Sequence, residues 1–171
     1  MEKRACMIVI FEAEPRHLSA VRDIAYQTWP STYKDIVSQE QIEYMLERMY
    51  DLPELQQQMT QKGHVFLIAK VEENALGFAS YELNYKNEPK TKIHKIYLLP
   101  KSQGLGIGKA LIDRVVAAAQ LAQNQQLTLN VNRKNKAVQF YERVGFVATA
   151  TEDIDIGRGY LMQDFIMTKT V

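Results

Sequence analysis

Residues 96 to 109 constrain the fold more than any other stretch of the chain: Ile96-Tyr97-Leu98-Leu99-Pro100-Lys101-Ser102-Gln103-Gly104-Leu105-Gly106-Ile107-Gly108-Lys109. An apolar run of strand character meets a proline, and three glycines at alternate positions follow. Ile107, Leu111, Val115, Ala118 and Ala122 then recur at helical spacing, so the glycines stand at a helix start. Glycine lets the backbone approach a ligand closely, and the first turn of a helix offers unpaired N–H groups at its positive end. The segment therefore reads as a cradle for a phosphate or pyrophosphate. It is not a P-loop, because GxxxxGK[ST] is missing, and it lacks the GxGxxG spacing of the dinucleotide fingerprint. On its own, the glycine pattern also suits a flexible helix entry.

The periodicity elsewhere surrounds this unit with further helices and strands. Residues 6 to 12 read as a strand, and Pro15 opens a helix with Leu18, Val21, Ile24 and Ala25 on one face, expected to stop at Trp29-Pro30. Ser38-Gln39-Glu40-Gln41 has the form of a capping box ahead of Ile42, Met45, Leu46 and Met49. Asp51-Leu52-Pro53-Glu54 repeats that logic for a third helix ending near Gly63. Strands at 64–71, 75–84 and about 91–99, joined by turns at 72–74 and 85–90, form an antiparallel meander. After the helix from Gly106 to about Asn124 come a strand at 127–131, a helix at 135–144 and two strands around Gly157-Arg158-Gly159. One mixed α/β layer structure accounts for the whole pattern.

A chain of 171 residues suits one domain with a self-sufficient core. With 46% hydrophobic and 24% charged residues it is not of disordered or collagen-like composition. Lys and Arg number 21 against 20 Asp and Glu, so no whole-surface basic field exists to draw nucleic acid, which is not expected as a partner. Cys6 stands alone, which excludes an intramolecular disulfide and a CxxC metal site, and is read as a small buried hydrophobe. The first apolar run is broken by Glu12 and Glu14, and no run reaches the roughly 18 apolar residues of a membrane span. A cytoplasmic protein without a membrane partner is expected.

A second stretch sharpens the glycine loop. Asn135-Lys136-Ala137-Val138-Gln139-Phe140-Tyr141-Glu142-Arg143-Val144-Gly145-Phe146 sets an Asn at a helix start, a Phe-Tyr pair inside the helix and Gly-Phe at its exit. Here the sequence resembles the GNAT superfamily of acetyl-CoA-dependent N-acetyltransferases. Gln103, Gly106 and Gly108 match that family's [QR]-x-x-G-x-[GA] loop, and the second stretch its Asn…Ala…Phe-Tyr…Gly-Phe helix. The likeness is specific over about residues 93 to 146 and general elsewhere. More weakly, the C-terminal half resembles the branch with spermidine and diamine acetyltransferases.

The resemblance implies a single N-acetyltransferase domain over residues 1–171. The implied fold is GNAT-like: a mixed, mostly antiparallel sheet of six to seven strands, helices on both faces and a splayed central strand pair. It implies acetyl-CoA as co-substrate, no metal, and an arrangement in which a homodimer is open. The backbone of Ile96, Tyr97 and Leu98 would meet the pantetheine arm, and Gln103, Gly104, Leu105, Gly106, Ile107, Gly108 and Lys109 the pyrophosphate. Asn135 would contact the pantetheine or adenosine side, and Tyr141 would be the general acid beside the sulfur. Lysines 95, 101, 109, 134 and 136, with Arg133, suit a polyanionic co-substrate.

Transfer would proceed by direct attack of a neutral amine on the thioester. An alkylammonium is almost wholly protonated at pH 7, so a base or a proton-carrying water is needed. Where many relatives carry a Glu this chain has His94, which leaves His94 itself or Glu82 on the neighbouring strand as candidate base. In this family the first two helices wall the acceptor side. Here they carry Trp29, Tyr33 and Tyr44, and the six carboxylates Asp35, Glu40, Glu43, Glu47, Asp51 and Glu54. Trp29, Tyr33 and Glu43 are the expected acceptor contacts. The acidic face reads either as a funnel for a small cationic amine or as ordinary solvated helix, and a protein or peptide acceptor and a non-catalytic acyl-CoA sensor are the other readings.

Overall fold

The structure is a computed structural model that describes residues 7–171; Cys6 and the rest of the first six residues lie outside the described residues. Seven strands are β1 (Ile8–Glu12), β2 (Val65–Val71), β3 (Asn74–Glu82), β4 (Lys90–Leu98), β5 (Gln126–Asn132), β6 (Val147–Gly157) and β7 (Tyr160–Thr170). They form one sheet in the order β1-β2-β3-β4-β5-β7-β6. Only β4 and β5 run parallel, the pair whose connection is a helical crossover. The helices are α1 (Leu18–Tyr33), α2 (Gln39–Tyr50), α3 (Leu52–Thr60), α4 (Ile107–Leu121) and α5 (Ala137–Arg143). None of those described is long and apolar enough to cross a membrane.

The sheet is covered on both faces. Ile107 of α4 lies over Gly77 and Leu98 on one face. On the other, Trp29 of α1 and Tyr50 of α2 pack against Tyr97 and Phe78, with ring centroids 5.6 and 6.2 Å apart. The apolar stripes read from the sequence supply this core: Leu18, Val21, Ile24, Ala25, Ile42, Met45, Leu46, Ile107, Leu111 and Val115 are all buried.

Three local expectations are corrected. Helix α1 does not stop at Pro30 but continues to Tyr33, because proline forfeits only its own N–H bond there while Trp29 and Tyr33 gain burial on the core side. Ser38 caps α2 by accepting the Gln41 N–H at 3.1 Å, yet the box is only half made. The Gln41 amide turns inward and donates to the Leu161 carbonyl at 3.3 Å. Asp51 makes no side-chain cap on α3, and Glu54 instead takes Lys62 and Gln58 as partners.

The expected splay is present. Pairing of β4 with β5 runs from Lys90↔Gln126 to Ile93↔Leu129 and then ends, although β4 continues to Leu98 and β5 to Asn132. At the same point the β3–β4 ladder passes from Tyr81↔Ile93 to Ser80↔Lys95, leaving His94 as an extra residue on β4. Such a bulge bends its strand and re-aims a side chain, which is how β4 departs from β5.

Gly77 is the position where packing tolerates least. A Cβ there would lie 2.5 Å from Leu98 Cδ2 and 3.1 Å from the Tyr97 carbonyl oxygen. Gly77→Val is therefore expected to lower unfolding free energy by about 1–3 kcal/mol, measured by denaturant titration, through overpacking under α4. An unchanged midpoint would mean that Leu98 and Tyr97 of β4 do not crowd β3 there.

Candidate active site

The loop after β4 turns through Pro100–Ser102, whose N–H and hydroxyl at Ser102 both bond the Leu99 carbonyl, at 2.9 and 2.6 Å. Gly106 then caps α4 in the left-handed region at φ +80°, a conformation that favours glycine. The first intrahelical bond belongs to Ala110, whose N–H reaches the Gly106 carbonyl at 3.0 Å, so the amides of Gly106 to Lys109 point out of the helix end, while those of Gln103 and Leu105 bond the Pro100 and Ser102 carbonyls, each at 3.3 Å. A Cβ on Gly104 or Gly106 would meet nothing within 4 Å, whereas one on Gly108 would sit 3.0 Å from the Phe140 ring. The glycines thus divide the work: 104 and 106 shape an open cradle, and 108 lets α5 approach α4.

The loop opens at one end of the gap between β4 and β5, and α5 flanks that gap. Beyond Ile93 the β4 edge that carries Ile96, Tyr97 and Leu98 has no strand beside it, leaving an extended backbone free to pair with a ligand. Tyr141 of α5 is buried, packs edge-on against Phe146 with centroids 5.6 Å apart, and neighbours Tyr33. Burial, then Tyr33, pushes its phenol well above the ordinary range. Asn135 turns at the head of α5, its side chain accepting the Ala137 N–H at 2.9 Å. The Tyr97 side chain joins the aromatic group under α1, its hydroxyl 3.0 Å from that of Tyr33.

On the α1–α3 face, the bulge brings His94 to Glu82: Nε2 lies 2.8 Å from Oε2. The ring of His64, just ahead of β2, stacks on His94 with centroids 3.9 Å apart and planes 10° apart. Burial first, then His64, Lys95 and Lys92, hold the His94 imidazole far below its ordinary value, so it is neutral at pH 7. Burial raises Glu82. Further along the same face Lys92 donates to Asn130, whose amide reaches Glu152 at 2.9 Å and Asp164 at 3.4 Å. Asp164 is buried and raised by that burial, and its Oδ1 has no partner.

Other expected residues lie apart from this group. Lys95 is buried under α3, where it donates to Gln58 at 2.7 Å, and burial pushes it down to about 8; it is turned away from the glycine loop. Lys109 pairs with Asp113 at 2.7 Å on the helix surface. Trp29 is fully buried behind Tyr33 and Tyr97. Glu43 is exposed and accepts from Gln39 at 3.0 Å. A cleft of about 560 Å³ opens between the α1–α2 turn and the end of β5, lined by Ser38, Gln41, Asn132, Arg133, Lys134 and Gln163 among others. None of the six α2-region carboxylates lines it. The sequence does not single out His64, Lys92 and Asp164 as site residues, because only the strand register brings them together.

A parted parallel strand pair, a glycine-shaped helix start at its mouth and a buried tyrosine at its flank make up the candidate site. The chain belongs to the acetyltransferase (GNAT) domain family, whose profile matches residues 33–169, and is an acetyl-CoA-dependent N-acetyltransferase of that type. It is 26% identical over 147 residues to an uncharacterised N-acetyltransferase of Mycobacterium tuberculosis, covering 85% of this chain and 92% of that one. The peptidyl-lysine N-acetyltransferase YjaB of Escherichia coli is 34% identical over 67 residues, 38% of this chain and 42% of YjaB. The crystal structure of PaiA N-acetyltransferase from Thermoplasma acidophilum in complex with coenzyme A superposes with a TM-score of 0.80 at 25% identity, covering 96% of this chain and 99% of that one.

Because a side chain at Gly106 would enter open space, Gly106→Ala should leave packing intact and project a methyl group into the cradle from a backbone strained at φ +80°. CoA affinity is expected to fall by about tenfold or more, about 1.4 kcal/mol, by calorimetry. Unchanged affinity in a folded variant would move the pyrophosphate elsewhere.

Proposed function

We propose that this enzyme transfers the acetyl group to a primary amine by direct attack within a ternary complex, and that its preferred acceptor is a small, polyamine-like cationic amine. The observation that carries the reading is the gap left where β4–β5 pairing ends at Ile93 and Leu129. The pyrophosphate rests on the amides of Gly104 and Gly106 to Lys109, those of Gln103 and Leu105 being bonded within the loop, and the pantetheine arm runs along Ile96 to Leu98, with Asn135 beside it. The thioester then ends near Tyr141, which hydrogen-bonds to the departing sulfur. A phenol raised by burial does not give its proton away ahead of C–S cleavage, so its contribution is donation as the thiolate forms.

For the amine, Glu82 holds the Nε2–H of His94, and the Nδ1 lone pair takes the proton directly or through water. The imidazolium so formed is stabilised by the Glu82 carboxylate. A cationic acceptor is favoured by the carboxylates Glu82, Asp164 and Glu152 along this face, where Lys92 is engaged by Asn130 and Lys95 by Gln58. The unpartnered oxygen of Asp164 suits a second ammonium group. The exposed carboxylates of α2 add a general attraction that salt screens. A peptide acceptor is the second reading, favoured by Arg133 and Lys134 as the charged groups of the open cleft and by the likeness to a peptidyl-lysine acetyltransferase. We propose the cytoplasm as its compartment and one catalytic domain over residues 1–171.

Tyr141→Phe is expected to lower kcat by about 10²- to 10⁴-fold while the KM for acetyl-CoA moves little. An unaltered rate with a good acceptor would leave Tyr141 as a packing residue.

The acceptor is read from kcat/KM for spermidine, putrescine, a free amino acid and a short lysine peptide, at low and high salt. Polyamines should lead and lose ground as salt rises. His94, lowered by burial, stays neutral across the working range, so the rise of kcat/KM with pH should follow the amine and shift when an amine of different pKa is used. Preference for the peptide would select the second reading.

A further inference from the structure

We propose that His64, Glu82 and His94 form a binding site for a divalent transition-metal ion, zinc above all, and that the bound ion arrests acetyl transfer. The site's existence stands on geometry alone; the arrest rests on the reading of His94 and Glu82 as the proton relay. The three ligands come from adjacent strands. Val65↔Tyr81 sets His64 beside Glu82, Glu82↔Lys92 fixes the next strand, and the bulge brings His94 into line. Both imidazole Nε2 atoms approach the same carboxylate oxygen, at 2.8 Å from His94 and 3.9 Å from His64, and one ligand atom from each residue lies within 4.8 Å of the others. Donors around a tetrahedral zinc at about 2.0–2.1 Å sit on edges of roughly 3.3 Å, which these separations bracket.

The donor set also points to the class of ion. Two imidazoles and one carboxylate suit zinc and its transition-metal neighbours and do not suit magnesium, which asks for oxygen ligands in octahedral array. The side chains of His64, Glu82 and His94 keep 10%, 27% and 20% exposure, enough for an ion to enter and for water to complete its shell.

Three features hold the affinity below that of structural zinc sites. The stacked rings are nearly parallel, so an ion on both Nε2 atoms requires each ring to swing about its soft terminal torsion. Lys95, Lys92 and Lys62 face the cluster, with Glu54 as the opposing charge. Nδ1 of His64 is buried without a partner, so the second hydrogen bond that usually strengthens a histidine ligand is missing.

The experiment titrates zinc chloride, cobalt chloride and magnesium chloride separately into the full chain and into His64→Gln. Binding is read by calorimetry and by the visible spectrum of cobalt, and acetyl transfer is followed in parallel. The expected result is one site per chain with zinc well ahead of magnesium, tetrahedral cobalt bands, and a rate that falls as zinc fills the site. Measured against its own metal-free rate, His64→Gln should bind zinc at least about tenfold more weakly and resist inhibition to the same degree. Absence of cobalt bands in the wild-type chain, or equal zinc affinity in wild type and variant, overturns the site. Saturable zinc binding that His64→Gln weakens, with no loss of rate, overturns the arrest and shows that the relay assignment rather than the metal site is at fault.

Discussion

An extra residue on one strand governs the geometry of the site. With His94 inserted opposite the Ser80–Tyr81 step, β4 keeps its antiparallel bond to β3 but bends away from β5 after Ile93. The parallel ladder ends after four pairs, and a sheet that would have been closed acquires an internal edge. Unpaired strand backbone in a protein interior is costly unless something pairs with it, so an edge kept open beneath α1 and α5 marks a place for an extended ligand. The loop follows directly. Where β4 ends, the Pro100–Ser102 turn and the left-handed Gly106 aim the first turn of α4 at the mouth of that gap.

The same bend explains a concentration of charge that a stable core would avoid. Lys92, Lys95, Glu82 and Asp164 lie half-buried or buried on the α1–α3 face, each shifted by burial toward its neutral form. Desolvating such groups costs several kcal/mol per ion, and pairing returns only part of it. Asn130 makes the row tolerable by linking Lys92 on β4 to Asp164 and Glu152 on the far strands. One carboxylate oxygen still has no partner. Groups held in this condition beside an open edge belong to chemistry more naturally than to stability.

Much of this was legible in the sequence, for reasons that differ by residue. Gly104, Gly106 and Gly108 announce a helix entry because glycine favours such backbone angles and close approaches, and Tyr141 stands out through the resemblance of the Asn135 to Phe146 stretch to the family's helix. The α1 stripe read correctly as far as Ala25, but propensity ends a helix at Pro30 where the burial of Trp29 and Tyr33 carries it one turn further. Gln41 looked like half of a capping box; tertiary contact with Leu161 won its amide instead. His64 could not be placed because it stands thirty residues from His94, and only the register across three strands stacks the two rings. The acidic run of α2 is visible as charge, but not in its direction. Those side chains face solvent, while Tyr44 and Arg48 of the same helix bond the Ile156 carbonyl near the tip of the β6–β7 hairpin.

The two groups proposed to handle protons are set by one physical cause. Burial makes ionisation costly for acids and bases alike, so it raises Tyr141 and lowers His94 together. In the proposed mechanism the phenol is thereby kept protonated for a sulfur that needs a donor, and the imidazole unprotonated for an amine that must lose a proton. Neither is a strong acid or base in the resting site, and neither transfer is favourable alone. On the proposed reading, charge separation during attack changes that balance: the developing ammonium would drive its proton toward His94, whose cation Glu82, 2.8 Å away, would stabilise. The developing thiolate meanwhile strengthens its bond from Tyr141. In a low-dielectric gap these gains appear as charge develops in the transition state rather than in the resting complex, which is the condition for accelerating the step instead of merely binding the substrates.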